Sequence, residues 1–408
     1  MAPICRGCGA VLRTEFADLG MHPLANSYVP ADRPDAMEPY YPLRALACDG
    51  CLLVQTQAFE SPKAIFGEYA YFSSYSETWL AHSRAYVAHV AERFGIGPGS
   101  RAIEVASNDG YLLQYLIERG VDVLGIEPAA NVAIVALQRD IPTAVEFLTE
   151  ESAPRLAADG RADLLIANNV FAHTPDPHDL AAGLATLLAP GGVLTIEFPE
   201  LRRLIAECQF DTIYHEHYSY FSLASAQAIL AAHGLRVFDV AELPTHGGSL
   251  RLFACHAGDE RAGEPAVTRI LDAERAAGLH DIATYRRFGE VVRAECRAIA
   301  RTLFELKDQG LSIAGYGAPA KGNTLLNACG IGRDVVDFTV DRNPAKQGHL
   351  LPGSRIPIGP VEWIAERRPD VVLILPWNLR DEVMEQLAGV RAWGGRFAVR
   401  GPGLQLLS

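Results

Sequence analysis

From Arg101 onward the chain alternates short apolar runs with longer helix-like stretches. Arg101-Ala-Ile-Glu-Val-Ala106, Val121-Asp-Val-Leu-Gly-Ile-Glu127, Ala162-Asp-Leu-Leu-Ile-Ala-Asn168 and Gly192-Val-Leu-Thr-Ile-Glu-Phe198 read as buried strands, and a helix is expected over Glu77–Phe94 before them. A second series follows: Leu311–Gly315, Val335–Val340 and Val371–Leu375. Strands alternating with helices predict parallel, doubly wound sheets. Ala266 to Leu306 reads as helical, broken by Gly278 and Gly289. The expected organisation is α/β, with a small module over residues 1–70, a central Rossmann-like domain over 71–260, and a helical linker with a C-terminal Rossmann-like domain over 261–408.

Composition narrows the class. The 408 residues are 49% hydrophobic and 21% charged, as in a globular chain long enough for two or three cores. Basic side chains number 36 and acidic ones 49, a net charge of −13, so nucleic acid is not an expected partner. No apolar run reaches the ~18–20 residues that cross a bilayer. The start, Met1-Ala-Pro-Ile-Cys5, lacks the pattern of a secretory leader. A cytoplasmic protein without a membrane partner is expected, and with no coiled-coil heptads, a monomer.

Four of the eight cysteines form two tight pairs, Cys5-x2-Cys8 and Cys48-x2-Cys51, and the other four are scattered. Two such turns complete a tetrahedral all-sulfur shell with no open position, which points to structural zinc over a redox dithiol. Gly7, Gly9 and Gly50 permit the tight turns that bring amides to sulfur. The 39-residue spacer is longer than is usual for a zinc ribbon. Between the pairs, Pro23-Leu-Ala-Asn-Ser-Tyr28 and Tyr40-Tyr-Pro-Leu43 read as loop and strand pieces.

Ligands of doubly wound sheets bind beyond the carboxyl ends of the strands. There the first strand offers Glu104 and the turn Ser107-Asn-Asp-Gly110; the second ends in Glu127, 17 residues beyond Gly110; the third ends in Asn168-Asn169. A pyrophosphate needs a glycine-rich loop of amides. Glu104, Ser107, Asn108 and Asp109 instead suit a cation and hydroxyls. S-adenosylmethionine (SAM) fits, with its charged sulfonium and ammonium near the first acid and its ribose on Glu127. Acid, turn with Gly110, helix, second acid is the order of class I methyltransferases.

After Glu197-Phe-Pro-Glu200 comes Phe210-Asp-Thr-Ile-Tyr-His-Glu-His-Tyr-Ser-Tyr-Phe-Ser222. Two histidines and a glutamate among tyrosines are costly to bury without a purpose. Imidazole accepts a proton near neutral pH, and a phenol can donate to an enolate oxygen. A metal site is the rival, but His-Glu-x-x-His spacing is missing. His173, at another strand end, could converge on the same pocket. In the C-terminal series, Gly315, Gly317 and Gly322 with Lys321 at a helix start form a candidate phosphate cradle suited to a sugar nucleotide; packing alone is the alternative.

Taken together, the chain resembles the sugar C-methyltransferases that act on nucleotide-linked deoxyketosugars. The resemblance runs through Cys5, Cys8, Cys48 and Cys51, Ser107-Asn-Asp-Gly110 and Tyr214-His-Glu-His217, then Thr245-His-Gly-Gly-Ser-Leu-Arg251 and Gly315-Tyr-Gly-Ala-Pro-Ala-Lys-Gly-Asn323. One departure is Ala106, where that family usually has glycine. The resemblance implies methylation at C3 of a dTDP-linked 4-ketosugar through an enolate. It implies that His217 is the base, with Tyr214, Glu216 and His173 in the pocket; Tyr214 is the alternative base. It further implies that Tyr71 and Tyr75 close over the cofactor. His246, Ser249 and Arg251 would contact the substrate, and Lys321, with Gly315, Tyr316, Gly317 and Asn323, would hold the nucleotide diphosphate. An O- or N-methyltransferase, or a zinc-stapled nucleotide-binding protein without catalysis, are the competing functions.

Overall fold

The computed structural model describes residues 3–67 and 72–408. Two compact units interleave along the sequence. One comprises Met1–Leu12, Cys48–Leu201 and Tyr218–His280, the other Arg13–Ala47, Arg202–His217 and Asp281–Ser408. Among the described residues, no helix is long and apolar enough to cross a membrane.

The first unit is built on a seven-stranded sheet: β1 (Arg101–Val105), β2 (Asp122–Ile126), β3 (Thr143–Ala144), β4 (Ala162–Asn168), β5 (Leu188–Pro199), β6 (Leu235–Leu243) and β7 (Ser249–His256). Its order is β6-β7-β5-β4-β1-β2-β3. The first five strands pair parallel, while β7 runs antiparallel to β5 and to β6. The four expected strands are neighbours in it, at positions three to six. The antiparallel pair β6–β7 was not read, because β6 is only half-buried and carries polar residues throughout.

Helix α1 (Glu77–Phe94) has the expected bounds. Ser76 caps its start by accepting from the Trp79 amide, and Gly95 at φ 67° ends it. Ser83, Tyr86, Val87, Val90 and Ala91 recur at helical spacing and are buried. Tyr86, Val87, Val90 and Ala91 join the core beside Leu113, Leu116 and Phe253, and each large side chain there contributes about 1.5–3 kcal/mol by leaving water.

In the second unit, β8 (Ile313–Tyr316), β9 (Phe338–Val340), β10 (Ile358–Gly359), β11 (Val371–Ile374), β12 (Arg396–Gly401) and β13 (Gly403–Leu407) form a sheet of order β10-β9-β8-β11-β12-β13. It is parallel except for β13. Thr14–His22 and Tyr41–Ala47 pair antiparallel in the same unit. The long helical stretch does break near Gly278 (φ 79°), but Gly289 lies inside an unbroken helix, α2 (Ile282–Asp308). The expectation of a break there is corrected by packing: a Cβ on Gly289 would sit 3.2 Å from the Phe16 carbonyl oxygen. Glycine lets the helix lie against the Thr14–His22 strand, where Phe16 stacks on Phe288 at 4.3 Å.

The turn after β1 reverses the chain with Ala106 at φ 56°, Asn108 at φ 52° and Gly110 at φ 78°. The left-handed region costs an L-residue roughly 1–2 kcal/mol, which glycine avoids while adding some unfolded-state entropy. Ala106→Gly is therefore expected to raise stability by about 0.5–1 kcal/mol in denaturant unfolding; an unchanged or lower midpoint would remove the strain assigned to Ala106.

Candidate active site and metal centre

The four sulfurs of Cys5, Cys8, Cys48 and Cys51 lie within 4.8 Å of one another. Cys5 Sγ is 3.4 Å from Cys51 Sγ, and Cys8 Sγ is 3.5 Å from Cys48 Sγ. The amides of Gly7 and Gly50 each donate to sulfur at 3.3 Å, and Gln55 Nε2 adds a third donor to Cys5. Donors aimed at sulfur favour the thiolate; the bond from Cys51 leads in holding Cys5 down to about 4 against burial. Arg6 ties the first turn down, its amide bonded to Gln55 Oε1 and its guanidinium to the carbonyls of Thr56 and Tyr218.

At the carboxyl ends of β1, β2 and β4 the sequence-read residues come together. Glu104 is 1% exposed. Burial holds its carboxyl well above the usual range; the Tyr111 hydrogen bond opposes this, and the charges of Glu127 and Asp109 reinforce it. Burial also raises Glu127, although Oε2 accepts from the Asn108 amide at 2.9 Å and Oε1 from the Ala129 amide at 2.8 Å. Glu104 Oε2, Ser107 Oγ, Asp109 Oδ1, Asn168 Oδ1 and Asn169 Nδ2 are buried without a hydrogen-bond partner among the described residues. A Cβ on Gly110 would run into the Ile141 side chain.

A turn at Ser73–Tyr75 docks on this loop: the Ser73 amide donates to Asn108 Oδ1 at 2.9 Å, and the Ser74 hydroxyl donates to Asp109. Tyr75 is 57% exposed and stacks on Phe72. Tyr71 lies outside the described residues. His173 ends a short turn, Phe171–His173, after β4.

Sequence reasoning did not single out Ser73, Ser74 or the aromatic wall around Trp79, which stacks on His82 and Tyr111 at 4.9 and 6.2 Å and meets the His246 ring at a tilt at 5.2 Å. Trp79 and His82 were legible only as positions three apart on a helix. Near them Glu197 is fully buried. Its Oε2 accepts from Arg251 Nη2 at 2.8 Å and its Oε1 from the Thr245 hydroxyl at 2.9 Å. Burial alone would raise Glu197, but His82 and Arg251 outweigh it and hold the carboxyl down to about 2. Arg251 is thus engaged in a buried ion pair, and the Ser249 hydroxyl donates to the Thr245 carbonyl. His246 stands at φ 55° in the turn that these bonds hold.

In the second unit, His217 is 8% exposed. Its Nδ1 lies 2.9 Å from the Thr212 carbonyl oxygen and its Nε2 2.8 Å from the Tyr214 hydroxyl. Glu216 is 3% exposed and accepts from Asn26 Nδ2 at 2.6 Å. Lys321 Nζ donates to Asn378 Oδ1 at 2.8 Å and sits 4.7 Å over the Trp377 ring; burial lowers it to about 8, with Asp211 opposing and Arg400 adding. The loop glycines pack tightly. A Cβ on Gly315, Gly317 or Gly322 would meet Thr339, Pro376 or Leu375 at 2.6–2.8 Å. The Tyr316 hydroxyl donates to Gln386, and Asn323 Nδ2 donates to the Ala25 carbonyl.

Three family descriptions match the chain: a putative zinc binding domain over residues 5–66, a methyltransferase domain over 79–240, and a C-methyltransferase C-terminal domain over 244–402. The C-methyltransferase NovU of Streptomyces niveus is 38% identical over 408 residues, spanning 99% of this chain and 96% of the relative. The chain belongs to the SAM-dependent C-methyltransferases. A ubiquinone biosynthesis O-methyltransferase of Acinetobacter baumannii is 32% identical over 115 residues, 25% of this chain and 45% of its own. The solved magnesium protoporphyrin IX methyltransferase of Synechocystis, with bound SAM, is 19% identical over 49% of this chain and 99% of that one, with a TM-score of 0.36.

As a C-methyltransferase, the protein uses SAM and a structural zinc ion. The residues present fit both. Four convergent thiols with amides behind them make a closed zinc shell. A buried, acid-rich pocket with unpaired oxygens at the strand ends suits a cation carrying ribose hydroxyls.

Two measurements follow. Thiol-reagent release should liberate one zinc per chain, and chelation should lower the melting temperature; a ratio near zero would count against the metal site. A bound cation stabilises ionised Glu104, so SAM binding should release protons and tighten as pH rises through the range where the free carboxyl titrates. Calorimetry in two buffers of different ionisation enthalpy reads this release. Equal heats in both buffers, or release that survives Glu104→Gln, would exclude Glu104 as its source.

Proposed function

We propose that this C-methyltransferase acts on the carbon α to a ketone, C3 of a 4-keto-deoxysugar carried on dTDP, through an enolate formed by His217. An alkyl C–H is not a nucleophile, so a base must first take the α-proton. SAM, when bound, supplies an electrophilic methyl group on a sulfonium.

The observation that carries the reading is the hydrogen bonding of the His217 imidazole. A carbonyl only accepts, so the bond to Thr212 places the ring proton on Nδ1 and makes Nε2 the basic nitrogen. The Tyr214 hydroxyl donates to that nitrogen. By swinging its proton to the developing enolate oxygen, Tyr214 would free Nε2 to take the α-proton and would stabilise the new charge. The buried Glu216 carboxylate, next in sequence, would favour the imidazolium that results.

In the same reading Glu104, Ser107, Asn108, Asp109, Gly110, Asn168 and Asn169 hold SAM, and Glu127, pinned by two amides, offers its remaining lone pairs to the ribose. His173 and Tyr75 belong to the pocket around it. His246 faces the acceptor, while Ser249 and Arg251 act by fixing its turn. Lys321 neutralises the nucleotide diphosphate, with Gly315, Tyr316, Gly317 and Asn323 shaping the loop.

With SAM and a dTDP-4-keto-deoxysugar the enzyme should yield a product heavier by one methyl. In D2O without SAM the wild type should exchange the α-proton, and His217→Asn should stop exchange and cut turnover about 10²–10⁴-fold with SAM affinity unchanged. Exchange that persists in that variant would exclude His217 as the base.

A further inference from the structure

Pro23-Leu-Ala-Asn-Ser-Tyr28 has no part in the chemistry assigned so far, yet each of its polar anchors is aimed at a functional loop of its own unit. The Ala25 carbonyl accepts from Asn323 Nδ2 at 2.6 Å. The Tyr28 hydroxyl donates to the Ala318 carbonyl at 2.6 Å, and Lys346 Nζ donates to the same oxygen at 2.9 Å. From the other side, the Ala318 amide donates to Asp341 Oδ2 at 2.7 Å. The stretch is therefore bolted to the Gly315–Asn323 loop at two points.

Between those bolts Asn26 turns the opposite way. Its Oδ1 lies 3.1 Å from the Tyr28 hydroxyl and its Nδ2 is 2.6 Å from Glu216 Oε1. The amide cannot be flipped without loss: a carboxylate only accepts, so nitrogen must face Glu216. A charge-assisted bond of this length to a carboxylate 3% exposed fixes its rotamer.

We propose that Asn26 is a positioning residue of the C-methyltransferase, holding the Glu216 carboxylate in place beside Tyr214 and His217. The inference rests on the reading that Tyr214–His217 is the catalytic segment. It assigns the Pro23–Tyr28 stretch a catalytic purpose beyond folding.

The test is a donor–acceptor exchange with melting temperature and turnover as separate readouts, the probe substrate being a dTDP-4-keto-deoxysugar. Asn26→Ala should lower kcat about tenfold and leave the KM for SAM unchanged. Asn26→Asp sets carboxylate against carboxylate and should lower both kcat and the melting temperature further. Adding Glu216→Gln to Asn26→Asp restores a donor–acceptor pair, so the double variant should melt above Asn26→Asp alone. An equal melting loss from Asn26→Asp in both backgrounds would overturn the pairing, and wild-type kcat in a folded Asn26→Ala would overturn the functional role. Undiminished turnover in Glu216→Gln alone would instead sink the reading of the catalytic segment. The melting comparison judges the pairing whatever that variant's activity.

Discussion

The strand-end cluster is organised by a crowding of buried carboxyl groups. Glu104, Asp109 and Glu127 act on one another behind a single turn, and burial raises both glutamates. Backbone amides offset Glu127, and Arg139 lies 3.8 Å from Asp109. Glu104 takes the Tyr111 hydroxyl, but its Oε2 has no partner among the described residues. A cationic ligand would relieve this crowding and a phosphate would worsen it.

Glu197 shows the opposite solution in the same sheet. It is as deeply buried as Glu104, yet Arg251 reaches it through both Nε and Nη2 and Thr245 takes its other oxygen. Removing one partner of such a pair typically costs 3–5 kcal/mol. Arg251 therefore serves stability first and holds the turn that carries His246. Two buried carboxylates a few strands apart thus differ in pairing: Glu197 has a partner on each oxygen, and Glu104 Oε2 has none among the described residues.

What the sequence disclosed followed from how local each signal is. Central strands buried on both faces read as apolar runs, and two Cys-x2-Cys turns needed only spacing to suggest a sulfur shell. The acids at the ends of β1 and β2 were legible because strand ends locate ligands in doubly wound sheets. The edge pair β6–β7 was not legible, since its half-buried strand mixes polar and apolar positions. Nor was Gly289, which looked like a helix breaker and is instead a point of close approach to Phe16. The membership of Arg13–Ala47 in the C-terminal unit depends on contacts hundreds of residues apart, which no local pattern carries.

The glycine loop after β8 illustrates how one motif can hold two kinds of information. Its three glycines are accounted for by sterics alone, because side chains at those positions would collide with Thr339, Pro376 and Leu375. A strand followed by glycines is thus no evidence for phosphate in itself. Lys321 is different. A half-buried amine lowered to about 8 and lying over Trp377 gains nothing from packing that a leucine would not supply. Keeping a cation there is costly unless negative charge faces it, as Asp211 does, so in the proposed reading the loop's chemistry rests on the lysine, and the glycines explain only how closely the chain packs.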